Sequence, residues 1–508
     1  MATTTPAAAA ASSCDTLITP PSQARITIPC SKTMDDSDLE LSALKPTPPQ
    51  PIVANLLREA SDLTWSESFK STKDTVILVR RGGRFRLWRQ QQFKNSLLAG
   101  VGYLELANAG DFAANVWNQI PVPRFAAVLM GIGGAFALGM ALVAVRDFRL
   151  SWQNVKLLRT ERGYLQRLRV YHDRNPDLVS LLDCRLGVGV RELGTEAVDR
   201  LVMDMLMGAG SVLVGIGTLM AIGGANHRVY KASNLLSGYI GNALAAIFGL
   251  VNAIWSAYLL HRFRVHDAAV LAQKPSDTIR RRLQVRSSRF KWHAFVSGLN
   301  GLVAGAASMV TAERWWGYIV LIPCIVSLIL CNFFWRKKLG YDRPVLGDSS
   351  PASMQLTPLF EDLEYTIALQ RALADAEISS PQNIVQTDSL ESILQFIARN
   401  GMLEQYGESL ALDKNTCGIL SECTRRGPFG DKILMSPTLL LALSTSPTRS
   451  QILLDHAKRF LVTDGYITFV HRERHLLELL GYAAWRDQTT STSTPHQHQH
   501  SNPHERPQ

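Results

Sequence analysis

The chain has 508 residues, of which 46% are hydrophobic, and carries a formal net charge of +10. Its basic residues cluster beside long apolar segments, so the charge is explained without a nucleic-acid partner, and we exclude that class. Seven scattered cysteines without a CxxC pair exclude a disulfide framework and a zinc site of the usual spacing.

The chain begins with a predicted disordered tail, residues 1–74. Its first 50 residues are rich in Ala, Thr, Ser and Pro and contain no apolar core of a signal peptide. The membrane domain is predicted to follow at 75–338.

Five uncharged apolar runs dominate this domain. A run of roughly 20 residues crosses a hydrocarbon core about 30 Å thick when it is helical. Backbone groups find no water in lipid, so such a run must satisfy them internally as a helix. We therefore predict an all-α polytopic membrane bundle with these spans: 125–145, 205–224, 235–260, 294–312 and 315–335.

The charges beside the runs predict a sixth span. Cytoplasmic loops carry excess Lys and Arg. Residues 261–293 contain nine Lys/Arg, and residues 80–94 contain six with no acid. Five crossings would place these two segments on opposite sides. A more polar span at 96–117 resolves the conflict, whereas the alternative is an interfacial helix there and an external N-terminus.

Small residues recur at every fourth position along several runs. Residues four apart share a helix face, and small side chains let two helix backbones approach closely in a membrane. The predicted helix-packing residues are Gly131, Ala135, Gly139, Gly241, Ala245, Gly249, Ala253, Ser297, Gly301 and Gly305.

Polar side chains inside the spans are the candidate functional groups. Intramembrane acids are costly and frequently belong to substrate or proton pathways, which makes Glu105 and Asp111 candidates for transport. The alternative is an amphipathic surface helix that exposes both acids. The candidates Asn242, Asn252 and Asn300 have a second interpretation as hydrogen-bonded bridges between helices.

Polar segments flank the membrane domain. Residues 149–170 alternate apolar and basic side chains at helical spacing, which fits either a helix on the anionic leaflet or one packed on another domain. Residues 339–357 are predicted to be a linker and 358–485 a helical cytoplasmic domain. The histidine-containing tail, 486–508, is predicted to be disordered.

Within the C-terminal domain, residues 388–401 are predicted to form a helix with Asp388 as its N-cap and Asn400-Gly401 as its end. Ser436-Pro437 and Ser446-Pro447 each predict the first turn of a further helix. No strand-period pattern indicates a sheet.

The sequence contains no catalytic, cofactor-binding or metal-binding motif that we recognise. The glycine-rich stretches 131–136 and 208–213 lie inside apolar runs, where helix packing explains them better than phosphate binding. The histidines are scattered. No cofactor and no metal are predicted, and enzymatic activity has no positive support.

Three features together carry a resemblance: the Ala/Thr/Pro-rich tail, the stretch at 93–139 and the basic cytoplasmic loop. The chain resembles a group of uncharacterised multi-pass integral membrane proteins of filamentous fungi over about residues 75–340. The resemblance implies at most an accessory role beside a secondary-metabolite pathway, and it assigns no role to any residue.

These observations predict a multi-pass protein of the endomembranes or the plasma membrane. The leading function hypothesis is a non-catalytic scaffold or accessory protein. It would contact the bilayer, anionic lipid headgroups through its basic loops, and protein partners through the C-terminal domain. The alternatives are a small-solute or ion transporter that uses the intramembrane acids, and a membrane enzyme without a recognisable motif.

Overall fold

The computed structural model describes residues 75–82, 84–88, 92–95, 103–117, 121–272, 276–346, 359–374, 389–426, 432–444 and 446–492. The predicted tails 1–74 and 493–508 lie outside these residues.

Five long helices form the centre of the described chain. They are α3 (Arg124–Tyr171), α4 (Pro176–Ala221), α5 (His227–Ala272), α6 (Asp277–Thr311) and α7 (Gly317–Leu339). Each overlaps one predicted uncharged run, so the five runs are confirmed as parts of helices long and apolar enough to cross a membrane. Before them lie two short helices, α1 (Leu104–Asn108) and α2 (Phe112–Val116), joined by a 3-10 turn at Ala109–Asp111.

The long helices extend well beyond their apolar runs. Helix α3 has 48 residues, about 72 Å at 1.5 Å per residue. The predicted amphipathic segment 149–170 is its second half. There Val155, Leu158 and Leu165 are buried, so this segment packs on protein rather than lying on a leaflet. A turn capped by Asn175 leads into α4.

The polar halves of these helices gather with the C-terminal helices. Side chains of α4, α5 and α6 share one buried cluster with Leu476 and Leu480. The C-terminal helices are α8 (Leu359–Ala374), α9 (Leu390–Arg399), α10 (Leu403–Leu412), α11 (Lys414–Arg426), α12 (Pro437–Leu443), α13 (Pro447–Phe460) and α14 (Tyr466–Thr492).

Local sequence signals explain the ends of several C-terminal helices. Ser436 and Ser446 cap α12 and α13, each followed by Pro at the first position, as predicted. The N-cap of α9 is Ser389 and not Asp388, because the Ser389 hydroxyl accepts a hydrogen bond from the backbone N–H of Ser392. Gly401 ends this helix region with a φ of 69°, which glycine adopts without strain.

The fold is not purely helical, which corrects the all-α prediction. Strands β1 (Val76–Arg81) and β2 (Arg84–Leu87) form a hairpin, and β1 also pairs antiparallel with β5 (Lys432–Met435). Leu78 and Phe85 are buried in the core of the C-terminal domain. Residues 76–87 therefore belong to that domain and not to the membrane domain.

A second strand pair joins two segments that flank the five long helices in the sequence. Strand β3 (Gln92–Phe93) precedes all five long helices and pairs antiparallel with β4 (Arg343–Pro344), which follows them. Tyr341 is 1% exposed and Arg343 is 8% exposed. The start of the predicted linker 339–357 is thus a buried structural element. Helix α14 continues beyond the predicted domain boundary at 485, to Thr492.

Among the predicted packing residues, those of α5 and α6 bring two helix backbones closest together. A Cβ atom added to Gly249 would lie 2.3 Å from the carbonyl oxygen of Gly301, and one added to Gly305 would lie 2.9 Å from the Cα of Ala246. Gly241 similarly faces Val214 of α4. These glycines permit contact between backbones, as the sequence predicts.

Helix α3 makes its close contacts through glycines other than the predicted ones. Cβ atoms added to Gly131 and Gly139 would meet no atom within 4 Å, and Ala135 is exposed. The close approaches of α3 use Gly133, against Gly110, and Gly134, against Leu219. This run has glycines on several faces of the helix. The face selected by the four-residue spacing is open, and a neighbouring face makes the close contacts.

Gly249→Ala is expected to lower the melting temperature of the detergent-solubilised protein. Its methyl group would overlap the Gly301 carbonyl oxygen, and overpacking of this kind costs about 1–3 kcal/mol. Thermal unfolding of the purified variant measures the change. Gly131→Ala is the matched control, because its methyl group meets open space. Equal melting temperatures for both variants would contradict the close packing of α5 on α6.

Candidate functional site

A buried network of charges joins the long helices to the C-terminal domain. Its centre is Arg343, whose Nη1 and Nη2 donate to Glu161 Oε1 and Oε2 at 2.8 and 2.7 Å. Arg343 Nε and Nη2 also donate to Glu192 Oε1 and Oε2 at 2.9 and 2.6 Å. One guanidinium therefore connects α3 and α4 to β4.

Arg191 forms the second half of this network. Its Nε and Nη2 donate to Glu478 Oε1 and Oε2 of α14, both at 2.6 Å. Arg191 Nη2 also donates to the Tyr341 hydroxyl at 2.6 Å, and that hydroxyl donates to Glu192 Oε1 at 2.8 Å. We call these residues the junction network: Glu161, Arg191, Glu192, Tyr341, Arg343 and Glu478.

The junction network holds its charges by mutual pairing. Burial lowers the pKa of Arg343, but the Glu192 and Glu161 carboxylates outweigh burial and hold that pKa well above its ordinary value. Burial and the nearby Arg343 keep the pKa of His475 well below its ordinary value, so this imidazole is neutral at pH 7. The network has no free group for catalysis, and its geometry fits a structural clamp.

A cavity of about 100 Å³ lies next to this region, where α1, α4, α5, α6 and α7 converge. An engineered apolar cavity of about 150 Å³ binds benzene, so a volume of this order admits a small ligand or a few water molecules. Apolar residues Leu104, Met203, Met207, Phe248 and Leu328 form one part of its wall. The polar lining residues are Glu105, Thr195, Asp199, Arg200, Asn252, His293, Ser297 and Asn332, with Cys331 and Trp335 beside them.

Arg200 is the cation in the cavity wall, and it is already paired with two acids. Its Nη2 donates to Asp147 Oδ1 at 2.9 Å, and its Nη1 donates to Glu196 Oε1 at 3.2 Å. Asn154 Nδ2 connects Glu196 to the carbonyl oxygen of Lys94. The guanidinium is therefore held in place by α3 and by a neighbouring turn of α4.

Several lining atoms have no hydrogen-bond partner among the described residues. They include Thr195 Oγ1, Asp199 Oδ1 and Asn332 Oδ1. Thr195 is only 3% exposed. Buried polar atoms of native proteins are normally hydrogen-bonded, and each exception calls for a partner such as a water molecule or an ion. These three atoms lie just beneath the cavity surface, and polar groups beside an apolar wall are the usual arrangement of a small-molecule site.

The structure separates the two predicted intramembrane acids. Glu105 lines the cavity, whereas Asp111 is fully buried outside it. Asp111 Oδ1 accepts a hydrogen bond from the Tyr318 hydroxyl at 2.8 Å, and Oδ2 accepts one from Asn115 at 2.9 Å. These contacts join the short helices to the start of α7, so Asp111 has a structural explanation.

The three predicted asparagines all bridge helices or turns. Asn300 Nδ2 donates to the Cys324 carbonyl oxygen of α7 at 2.8 Å. Asn252 Nδ2 donates to the carbonyl oxygen of Ser297 in α6 at 3.1 Å, and Asn242 Nδ2 donates to Thr311 Oγ1 of α6 at 3.4 Å. Of these, Asn252 also lines the cavity.

The acidic and basic lining residues of α4 are absent from the predicted set. Asp199 and Arg200 precede the apolar run that begins at 205, and they occupy a π-helical segment, Glu196–Val202. Such segments are frequent at functional sites. The available signal was the spacing of Thr195 and Asp199, four residues apart on one face, directly before a span.

Within the described residues, no group of three His, Cys, Asp or Glu side chains gathers closely enough to hold a metal ion. The candidate site is therefore defined by the cavity and its polar wall.

Arg343→Met is expected to destabilise the protein by about 3–5 kcal/mol, because it leaves Glu161 and Glu192 buried without their cation. The melting temperature of the purified variant should fall, and a protease should cut residues 341–346 faster. Arg86→Met is the matched control, since Arg86 is an exposed strand residue. Wild-type stability of Arg343→Met would contradict the role of the junction network.

Comparisons of the chain with protein-family models, curated proteins and solved structures found no match.

Proposed function

We propose that the chain crosses the membrane six times and that both flanks lie on one side. Strand pairing supports this topology. Residues before α3 pair with residues after α7, both as β3 with β4 and as β1 with β5. Paired strands occupy the same side of a bilayer. Five crossings would separate them, so the pairing favours an even number.

Contacts at the two ends of the segment 96–117 support it as the additional crossing. Before the segment, Asn95 Oδ1 accepts a hydrogen bond from Trp335 near the end of α7. At its end, the Trp117 ring packs edge-on against Phe125 at the start of α3, with centroids 5.4 Å apart. The end of α7 and the start of α3 lie at opposite ends of an antiparallel bundle.

The side that carries the paired strands is proposed to be cytoplasmic. The polar extensions of α3 to α6 carry most of the Lys and Arg of the five long helices, which favours this orientation. Arg81, Arg84 and Arg86 of the hairpin are exposed. Such residues attract anionic lipid headgroups when they lie near the bilayer. The C-terminal domain is accordingly proposed to be cytoplasmic.

For the biochemical function, we propose that the protein binds a small ligand in the cavity between α1 and α4 to α7. The single observation that supports this most is the cavity itself, since it combines an apolar wall with buried polar atoms such as Thr195 Oγ1. Such binding is also the first step of transport. Glu105 and Asp199 replace the predicted pair Glu105 and Asp111 as its candidate acids.

A scaffold or accessory function is the second candidate. The junction network supports it, because buried ion pairs such as Arg191–Glu478 fix the C-terminal domain rigidly to the helices. A rigid domain with a basic strand at the membrane is suited to presenting a surface to partners. The accessory role implied by the resemblance to fungal membrane proteins remains a proposal of the same kind.

Ligand binding is tested with three probes of equal apolar size: 2-phenylethanol, 2-phenylethylammonium and 3-phenylpropionate. At least one is expected to raise the melting temperature of the purified protein progressively as its concentration rises above its Kd. Ligand at ten times its Kd stabilises the folded state by about 1.4 kcal/mol. Thermal unfolding across a concentration series measures the effect.

Met207→Trp is the test variant, because its larger side chain fills the apolar part of the cavity and should abolish the protection. Met309→Trp is the matched control, since Met309 is 38% exposed on α6 and does not line the cavity. A scaffold without a ligand site predicts the opposite outcome, in which no probe distinguishes the two variants.

A further inference from the structure

The residues in and behind the cavity wall carry more acidic groups than basic ones. The carboxyl groups of Glu105 and Asp199 are in its wall, and Arg200 is the guanidinium there. Behind the wall, Asp147 and Glu196 both pair with Arg200. The positive charge of Arg200 is therefore already more than matched by acids outside the lining.

The guanidinium of Arg191 lies nearby, and its hydrogen bonds are made to residues outside the cavity wall. Arg191 is close enough to Asp199 to act on it electrostatically, but its hydrogen bonds go to Glu478 and Tyr341. Asp199 lies beside the Trp255 indole, and its Oδ1 accepts no hydrogen bond from a described residue. A buried carboxylate without a cationic partner is costly, and a bound cation would supply that partner.

The rest of the cavity wall fits the apolar part of an organic molecule that carries a cationic group. Trp335 and Phe248 present aromatic rings to the cavity, and aromatic faces attract ammonium groups. Met203, Met207 and Leu328 provide apolar surface. A volume of about 100 Å³ exceeds the roughly 30 Å³ share of one water molecule, so the cavity admits more than a bare ion.

We propose that the cavity selects a small organic cation, with an ammonium group beside Asp199 and an apolar group against Met207 and Phe248. This inference rests on the proposed ligand-binding function and names its chemical class. Two observations add to the acids: the cavity itself, and the buried Thr195 side chain, which borders it and whose hydroxyl has no partner among the described residues.

Cys331 offers a direct probe of the cavity's charge, because its thiol lies in the wall. In detergent solution, a protein that retains only this cysteine is treated with two methanethiosulfonates, one bearing trimethylammonium and the other sulfonate. The ratio of their rates is divided by the same ratio at Ala225→Cys, an exposed position. We expect the normalised ratio to be about tenfold or more in favour of the cation.

Asp199→Asn is expected to reduce this ratio by about threefold or more, because it removes from the cavity wall an ionisable carboxyl group whose charged form attracts the cationic reagent. Glu105→Gln provides a second variant should the first accumulate poorly. Asp173→Asn is the matched control, since Asp173 is exposed in the turn between α3 and α4. It is expected to leave the ratio unchanged.

The possible results separate the two proposals. A normalised ratio near one, with both reagents reacting readily, would overturn the cation inference and leave ligand binding intact. Failure of both reagents to modify folded protein, with full modification after denaturation, would overturn the accessible cavity and hence both proposals. A ratio that favours the cation but is unaffected by Asp199→Asn and Glu105→Gln would also overturn the assignment.

Discussion

The pairing of β3 with β4 constrains the rest of the molecule. Two residues on each strand form this contact, yet five long helices lie between them in the sequence. The hairpin β1–β2 makes the same connection through β5 and adds Leu78 and Phe85 to the C-terminal core. Because both flanks build one domain, the two flanks lie on the same side of any bilayer that the helices cross.

Buried charge at this domain boundary has two consequences. In the junction network, Arg343 and Arg191 satisfy their carboxylates almost completely, which is the condition under which buried ion pairs are tolerated. Next to the junction network, Asp199 Oδ1 and Thr195 Oγ1 have no hydrogen-bond partner among the described residues, and both residues border the cavity. The same end of the helices therefore contains a satisfied region that fixes the fold and an unsatisfied region that fits a ligand.

The sequence predicts the local features better than the long-range ones. Uncharged runs locate the five long helices, and the serine-proline pairs locate two caps, because both depend on neighbours in the chain. The hairpin was missed although Arg84 to Leu87 alternates polar and apolar residues beside a Gly-Gly turn, a recognised strand signal. Asp199 was missed because its role depends on which helices surround it. Four-residue spacing identified Gly249, but on α3 it selected an outward face.

Sidedness is the most direct test of this account. Single cysteines at Arg84, Gln451 and Ala225, in a cysteine-free protein, are labelled in sealed vesicles with a membrane-impermeant thiol reagent. All three positions are exposed. The account predicts that Arg84→Cys and Gln451→Cys are labelled from the same side and Ala225→Cys from the other. Labelling of Arg84→Cys and Gln451→Cys from opposite sides would contradict the six-crossing topology and the strand pairing on which it depends.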